Sequence, residues 1–273
     1  MINYSFFPAD ARLSEYIFSY GMMEVNDDLT SPLLSPPNGL TGFVIRTTLS
    51  KSDVVAKDFE GNLIAFQPSY VIGQTSYPIT GYVIGSLKCF FVFFQPLGLY
   101  QLFGTKMSDL TNKSIDLFDF LGQETAQNLI EKLFVNDSIE SQTTVMNHFF
   151  LNQKNIYNDC LVLKKALELI RVKQGNVTVK EIEETCKINR RSLERYFQDK
   201  IGLTPKIYIQ VYRFKCTMNY LQQNPQTTWS ELSNELAFFD QAHMIRYFKK
   251  YIKVSPNNMV SLDVDFMNYF LRH

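Results

Sequence analysis

The chain has 273 residues, 45% of them apolar and 20% charged, with 27 Lys and Arg against 27 Asp and Glu. That composition describes a globular chain with ample core material, enough for one large domain or two ordinary ones. No apolar run reaches the ~20 residues of a membrane helix, and the first residues, MINYSFFPADARLSEY, carry acids where a secretory leader needs a basic start and a long apolar centre. A soluble, cytoplasmic protein is expected. The four cysteines, Cys89, Cys160, Cys186 and Cys216, are scattered with no CxxC pair, as buried, reduced thiols would be.

Zero net charge hides a division. Residues 161–256 hold 17 Lys and Arg against 9 Asp and Glu, a net +8, which leaves the remainder at −8. Such asymmetry points to a nucleic-acid-binding part joined to something else, although chance clustering on solvated helix faces would give the same count.

From the N-terminus, segments such as Leu40-Thr-Gly-Phe-Val-Ile-Arg-Thr-Thr-Leu49, Asn62-Leu-Ile-Ala-Phe66 and Tyr82–Phe94 are β-branched and aromatic, punctuated by Gly, Pro, Ser and Asn. They predict six to ten strands closing into a small barrel or sandwich. From about Ile115 the period changes: Leu117, Phe120 and Leu121, then Ala126, Leu129, Ile130, Leu133 and Phe134 predict helices, and a further helix runs from about Ser138 to Leu151. A dimer contact through these amphipathic helices is a candidate. Leu151–Asn158 reads as a linker. The chain therefore divides into residues 1–155, a mainly β domain ending in helices, residues 156–260, an all-α domain, and a tail, 261–273.

In the α domain Thr178-Val-Lys-Glu181 fits a capping box, with Val179, Ile182 and Cys186 as the inner face of a short helix. A break at Lys187-Ile-Asn189 follows, and Asn189 suits the N-cap of a second helix. On that helix Leu193, Tyr196, Phe197 and Lys200 share one side; Arg191, Arg195 and Gln198 lie opposite, with Glu194 beside them. Thr204 and Pro205 start a long, well-buried helix of about 18 residues, roughly 27 Å at 1.5 Å each. Then the pattern repeats. Thr228-Trp-Ser-Glu231 fits the capping box again, Trp229, Leu232 and Leu236 form an inner face, and Asp240 caps a helix carrying Arg246-Tyr-Phe248, 51 residues after Arg195-Tyr-Phe197. Met244, Tyr247, Phe248 and Tyr251 point one way, while Ala242, Arg246, Lys249 and Lys250 point the other, with His243 on the flank. Two helix-turn-helix units joined by a rigid helix are predicted. In each, Tyr-Phe is core and Arg faces out, where it suits guanine or phosphate.

These residues resemble the DNA-binding domain of the AraC/XylS family of bacterial transcription regulators. The second unit is similar to the family pattern through Glu235-Leu-Ala-Phe-Phe-Asp-Gln-Ala-His-Met-Ile-Arg-Tyr-Phe-Lys-Lys-Tyr251 and Val254-Ser-Pro256, and the first through Ile188-Asn-Arg-Arg-Ser-Leu-Glu-Arg-Tyr-Phe197 and Gly202-Leu-Thr-Pro205. The resemblance implies seven helices that insert into two successive major grooves of double-stranded DNA. By position Arg190, Arg191, Glu194 and Arg195 match the first reading helix, with Gln198 on the same face. Gln241, Ala242, His243 and Arg246 match the second, and Lys249 and Lys250 suit phosphate. The family's turn glycines are Lys187, Ala237 and Lys253 here; a left-handed backbone at a non-Gly residue costs roughly 1–2 kcal/mol. Phe94–Gly104 with Met107-Ser-Asp-Leu-Thr111 resembles the cupin-like N-terminal domain of one AraC subfamily, which implies that this part senses a small-molecule effector or mediates dimerisation; most of the aromatic residues near 90–103 are expected to be core, with a ligand pocket among them as the alternative. RNA polymerase is a further candidate partner.

An enzyme is not expected. Metal-dependent cupins need clustered His, and the three here, His148, His243 and His273, lie outside the strands. No placed His serves a Ser-His-Asp arrangement, and GxGxxG and GxxxxGK[ST] are absent. No cofactor or metal is implied. Two other readings remain: a cupin-type metabolite-processing enzyme with a vestigial helical domain, and alkyl transfer in DNA repair, which would need an activated Cys.

Overall fold

The computed structural model describes residues 2–28, 33–48, 53–57, 61, 63–135, 138–153, 156–224, 226–227, 231–232 and 241–252. The expected cap at Thr228, Trp229, Leu236, the break at 237–240 with its Asp240 cap, Lys253 and the tail lie outside them.

Ten strands precede the helical part: β1 (Ile2–Phe7), β2 (Ile17–Val25), β3 (Leu33–Ser35), β4 (Thr41–Arg46), β5 (Asp53–Lys57), β6 (Leu63–Ala65), β7 (Ser69–Ile72), β8 (Ile79–Ile84), β9 (Leu87–Phe94) and β10 (Ser114–Asp116). They form two antiparallel sheets, one in the order β1-β2-β9-β4-β7-β10, the other β3-β8-β5-β6. Of the two architectures expected, the sandwich is the observed one; the sheets are open and do not close into a barrel.

The larger sheet is covered on both faces. Along β9, Phe90, Val92 and Phe94 join one cluster with Phe43, Ile45, Tyr20 and Met22 beneath the helices. Cys89, Phe91 and Phe93 join a second cluster, facing the smaller sheet, with Met23, Val44 and Val83. Adjacent strand residues point to opposite faces, so burial on both sides demands the unbroken apolar run Leu87–Phe94 rather than an alternating one.

Four helices cover the outer face: α1 (Gly98–Phe103), α2 (Leu117–Leu121), α3 (Gln123–Val135) and α4 (Ile139–Leu151). Asp116 caps α2 by accepting from the Phe118 amide at 2.7 Å. Asn147 on α4 accepts from the Tyr20 hydroxyl at 2.9 Å and the Asp10 amide at 3.0 Å, so the helix is tied to the sheet by polar as well as apolar contacts. The apolar residues of α3 and α4, Ala126, Leu129, Leu133, Met146 and Phe150, are buried against this sheet. Their amphipathic pattern is accounted for within one chain, so the pattern itself no longer points to a dimer contact.

The segment expected as a linker is docked. The Tyr157 amide donates to the Gln101 carbonyl at 2.8 Å, and the Tyr157 and Tyr100 rings lie 5.9 Å apart. Beyond it come α5 (Leu161–Val172), α6 (Val179–Cys186), α7 (Arg190–Lys200), α8 (Pro205–Gln223) and α9 (Gln241–Ile252). Their core continues into the N-terminal part through Leu34 and Leu97.

Lys187 ends α6 in the left-handed region, at φ 51° and ψ 47°, its amide returning to the Glu183 and Glu184 carbonyls. Without a Cβ, Gly adopts this backbone freely. Lys187→Gly is therefore expected to stabilise the protein by about 1 kcal/mol, the left-handed penalty less the unfolded-chain entropy of glycine. A thermal melt that moves down instead would show the turn to be held by the Lys side chain.

Candidate nucleic-acid interface

The first unit is built as its local sequence dictates. The Glu181 amide donates to the Thr178 hydroxyl at 3.2 Å, and the Thr178 amide donates to the Glu181 carboxylate at 2.7 Å, a complete capping box. The Lys165 ammonium donates to the Thr185 carbonyl at 2.6 Å and so closes the other end of α6. Asn189 caps α7 by accepting from the Ser192 amide at 2.9 Å. Ile182, Leu193 and Phe197 are fully buried, which fixes the rotation of α7.

That rotation turns the expected contact residues outward. Arg190, Arg191, Arg195 and Gln198 are exposed and Glu194 is half-buried. Arg190 and Glu194 are paired, Nε to Oε1 at 3.0 Å, and this bond raises the Arg190 pKa further. The Arg195 guanidinium stands 5.4 Å from the centre of the Tyr196 ring. A planar cation laid on an aromatic face keeps its outer N–H groups pointing away from the helix.

The far end of α7 is anchored to the N-terminal part. Lys200 is 8% exposed, and its ammonium donates to the Asp159 carboxylate at 2.5 Å and carbonyl at 2.6 Å, between the rings of Tyr100 and Tyr196. The Lys200 bond holds the Asp159 carboxyl below its usual pKa, helped by the Tyr100 hydroxyl, which donates at 2.9 Å. The Thr111 hydroxyl donates to the Gly202 carbonyl. At φ +97°, and with the Met107 carbonyl 2.9 Å from where a Cβ would sit, position 202 accepts only glycine comfortably.

The second unit is held on α8. Thr204 caps this helix and Pro205 begins it; its 19 residues span about 28 Å. Near its start Tyr208 meets Phe197 of α7 edge-on at 6.0 Å. One and a half turns on, Phe214 meets Phe248 and Tyr251 of α9 at 5.9 and 5.0 Å, and the Tyr247 hydroxyl donates to the Gln210 carbonyl. Met244, Phe248 and Tyr251 are buried, as is Leu232, while Arg246 and Lys249 are exposed. Lys250 is exposed too, but its ammonium reaches back to Gln210 Oε1 at 3.2 Å and lies 4.9 Å from the Tyr251 ring, so it buttresses α9 against α8 before any phosphate is present. Of Gln241, Ala242 and His243 the helical backbone alone is described.

Sequence reasoning did not foresee the Lys200–Asp159 anchor or the pairing of Lys164 with Glu15, 149 positions apart. Nothing local marks either one. Of the aromatic residues near 90–103, Phe91 and Phe93 line an apolar gap of about 180 Å³ between the two sheets, whereas Phe90, Phe94 and Phe103 are packed under the helices. A larger cavity, about 420 Å³, lies between the N-terminal part and helices α5 and α8. Burial pushes the thiols of all four cysteines up, Cys89 to about 12 and Cys216 to about 11; such thiols are protonated and poorly nucleophilic near neutral pH. Among the described residues no three His, Cys, Asp or Glu side chains come together as metal ligands would, and no helix is long and apolar enough to cross a membrane.

Comparison with known proteins places this arrangement. A family described as a helix-turn-helix domain matches residues 182–261, and a domain of unknown function (DUF6597) matches residues 5–116. An uncharacterized HTH-type transcriptional regulator of Haemophilus influenzae is 23% identical over 91 residues, 33% of this chain and 30% of that protein. The Msm operon regulatory protein of Streptococcus mutans is 30% identical over 83 residues, 30% of each chain. This chain thus spans about a third of the length of the curated relatives it matches. Among solved structures, ToxT from Vibrio cholerae O395 aligns over 90% of this chain and 97% of its own, at 12% identity and a TM-score of 0.48. The AraC-like transcriptional activator CuxR aligns over 82% and 86%, at 14% identity and 0.26.

The two parts of the repeated Arg-Tyr-Phe have separable roles. Phe197→Ala is expected to cost ~3–5 kcal/mol, because it empties a fully buried site. Arg195→Ala, on the exposed face, is expected to stay within about 0.5 kcal/mol of the parent. Chemical denaturation of both variants measures the contrast; comparable losses would mean that Arg195 is part of the core's support.

Proposed function

We propose that the chain is a transcription regulator of the AraC family, by its C-terminal helix-turn-helix units, that binds double-stranded DNA by laying α7 and α9 into successive major grooves. The observation that carries this reading is the shared orientation of the two units: each buries its Phe, Phe197 or Phe248, against an aromatic residue of α8 and leaves its Arg, Arg195 or Arg246, on the exposed face. A connector of about 28 Å is matched in scale to the ~34 Å between major-groove segments one turn apart.

Roles follow from side-chain chemistry. Arg195 and Arg246 present the fork that pairs with guanine O6 and N7. Glu194, held beside Arg190, suits a cytosine amine, and their ion pair exchanges for base and phosphate contacts when DNA arrives. Arg191, Gln198 and Lys249 suit the flanking backbone, which sets register without specifying sequence. The N-terminal sandwich is the part that would sense a small molecule. Its contacts with the end of α7, through the Thr111 hydroxyl to Gly202 and through the Tyr100 hydroxyl to the Asp159 carboxylate that holds Lys200, supply a mechanical route from sensor to DNA. A second copy of the chain and RNA polymerase are partners consistent with such a regulator.

Binding to the DNA upstream of its own coding region, followed by fluorescence anisotropy at several salt concentrations, tests the proposal. Affinity should fall steeply as salt rises, because bound cations release counterions from DNA. Arg195→Ala and Arg246→Ala should each weaken specific binding by ~1–3 kcal/mol while leaving the melting curve in place. Salt-independent binding, or unchanged affinity in both variants, would remove these residues from the interface.

A further inference from the structure

The seam between α8 and α9 holds two cations that no acid among the described residues neutralises. Lys206 is exposed in the first turn of α8. Lys250, near the end of α9, reaches across to Gln210 Oε1 at 3.2 Å. Residues 206 and 210 are one turn apart on the same side of α8, about 6 Å along its axis, so the two ammonium groups flank one glutamine. Among the described residues no carboxylate pairs with either lysine. Both placements are unfavourable in the free chain. The first turn of α8 holds no acid, and a cation there opposes the positive end of the helix dipole. Lys250 loses hydration against α8, and the Lys206 charge adds to the effect, so the Lys250 pKa is lowered.

The position of the pair says which anion relieves it. Tyr208, two residues after Lys206, meets Phe197 of α7, and Gln210 holds Tyr247 and Lys250 of α9. The two lysines therefore sit on the stretch of the connector that carries both reading helices. Lys250 also follows Arg246 by one turn on α9, so the two exposed cations share a side of that helix. Resting on the reading of α7 and α9 as the helices that enter DNA, we infer that Lys206 and Lys250 together hold one phosphate group of the DNA backbone, on a strand bordering the minor groove between the two reading helices.

When two successive major grooves on one face of a duplex are filled, the minor groove between them is turned toward the connector, with a line of phosphates on each rim. A phosphate placed between two ammonium groups replaces their repulsion with two charge-assisted bonds. Such a contact carries no sequence information. It fixes instead where the connector sits along the duplex, and so the register of both units at once. Lys206 is the member of the pair that neither reading helix supplies.

Fluorescence anisotropy on specific and on scrambled DNA across a range of salt, with thermal melting of the same full-length variants without DNA, is the test. Lys206→Gln and Lys250→Gln should each lower the slope of log affinity against log salt by about 0.9. Raising salt from about 50 to 200 mM should then cost each variant about 3.5-fold less affinity than it costs the parent, and both DNAs should be weakened alike. Removing an exposed charge from the N-terminal part, by Lys113→Gln, should leave the slope in place. Lys206→Arg should keep the parent's slope. Lys206→Glu separates a phosphate site from structural support by its opposite signs. It should raise the melting midpoint, by facing Lys250 and by placing an acid in the first turn of α8, while weakening both DNAs about tenfold or more. An unchanged slope in Lys206→Gln, a loss confined to the specific DNA, or a Lys206→Glu variant that melts lower than the parent would overturn the inference. Inorganic phosphate exchanged for chloride at constant ionic strength is a further arm: a rise in melting midpoint that Lys206→Gln abolishes, with the DNA slopes unchanged, would assign the pair to free phosphate and overturn it too. If Lys250→Gln unseats α9 from Gln210, Lys206→Gln alone still reads the site. A parent with steep, salt-dependent DNA binding that Lys206→Gln matches removes this site and leaves the DNA-binding reading standing; a parent that binds no DNA removes both.

Discussion

The structure depends on the burial of one helix. α8 touches both α7 and α9: Tyr208 meets Phe197 of α7, and Phe214 meets Phe248 and Tyr251 of α9. Val211, Phe214 and Met218 are almost wholly removed from water. Each fully buried side chain of this size contributes roughly 1.5–3 kcal/mol, and two of the ring contacts, Tyr208–Phe197 and Phe214–Phe248, are edge-on, while Phe214–Tyr251 is tilted. Hydrogen bonds to Gln210, from Tyr247 to its carbonyl and from Lys250 to its side chain, set the rotation of α9 about its own axis. Two exposed arginines can act as a pair only if their helices are fixed relative to each other, and α8 fixes them.

A second constraint runs from the other end of the molecule. The larger sheet is buried on both faces, so it offers a stiff plate on which α1–α4 pack. From that plate Thr111 and Tyr100 reach the end of α7, Tyr100 by way of Asp159 in the connecting segment, while Phe18 and Leu97 reach the neighbourhood of α8. The polar contacts dominate at the α7 anchor. They join a buried ammonium, a carboxylate and a hydroxyl, groups that are costly to leave unpaired and therefore open together or not at all. In the proposed regulator such a joint would transmit a change in the position of one helix end, not a diffuse softening.

How much was legible in the sequence differs between the halves, for physical reasons. Caps are local chemistry, so Thr178 with Glu181, Asn189, and Thr204 with Pro205 are found where their residue types place them. Helical period likewise sorted Phe197 and Phe248 inward and Arg195 and Arg246 outward. The β half was readable as strands but not as an architecture. β9 is apolar on both faces, so the alternation that would reveal which side meets the helices is missing, and only the division of the strands into two sheets with unjoined edges separates sandwich from barrel. The amphipathic α3 and α4 showed that they bury a face, but not against what; the partner is the sheet of the same chain. Nothing local marks Lys215 of α8 as a buried cation; its ring neighbours are Tyr212 on the same helix and Phe18, almost two hundred positions away in sequence.

The central claim is that α8 presents two arginine-bearing helices to one face of DNA. Hydroxyl-radical footprinting on a bound promoter fragment tests it most directly. The account predicts two protected patches about 10 base pairs apart on the same face of the duplex, with Arg195→Ala weakening one and Arg246→Ala the other. A single patch, or the same patch weakened by both substitutions, would contradict it.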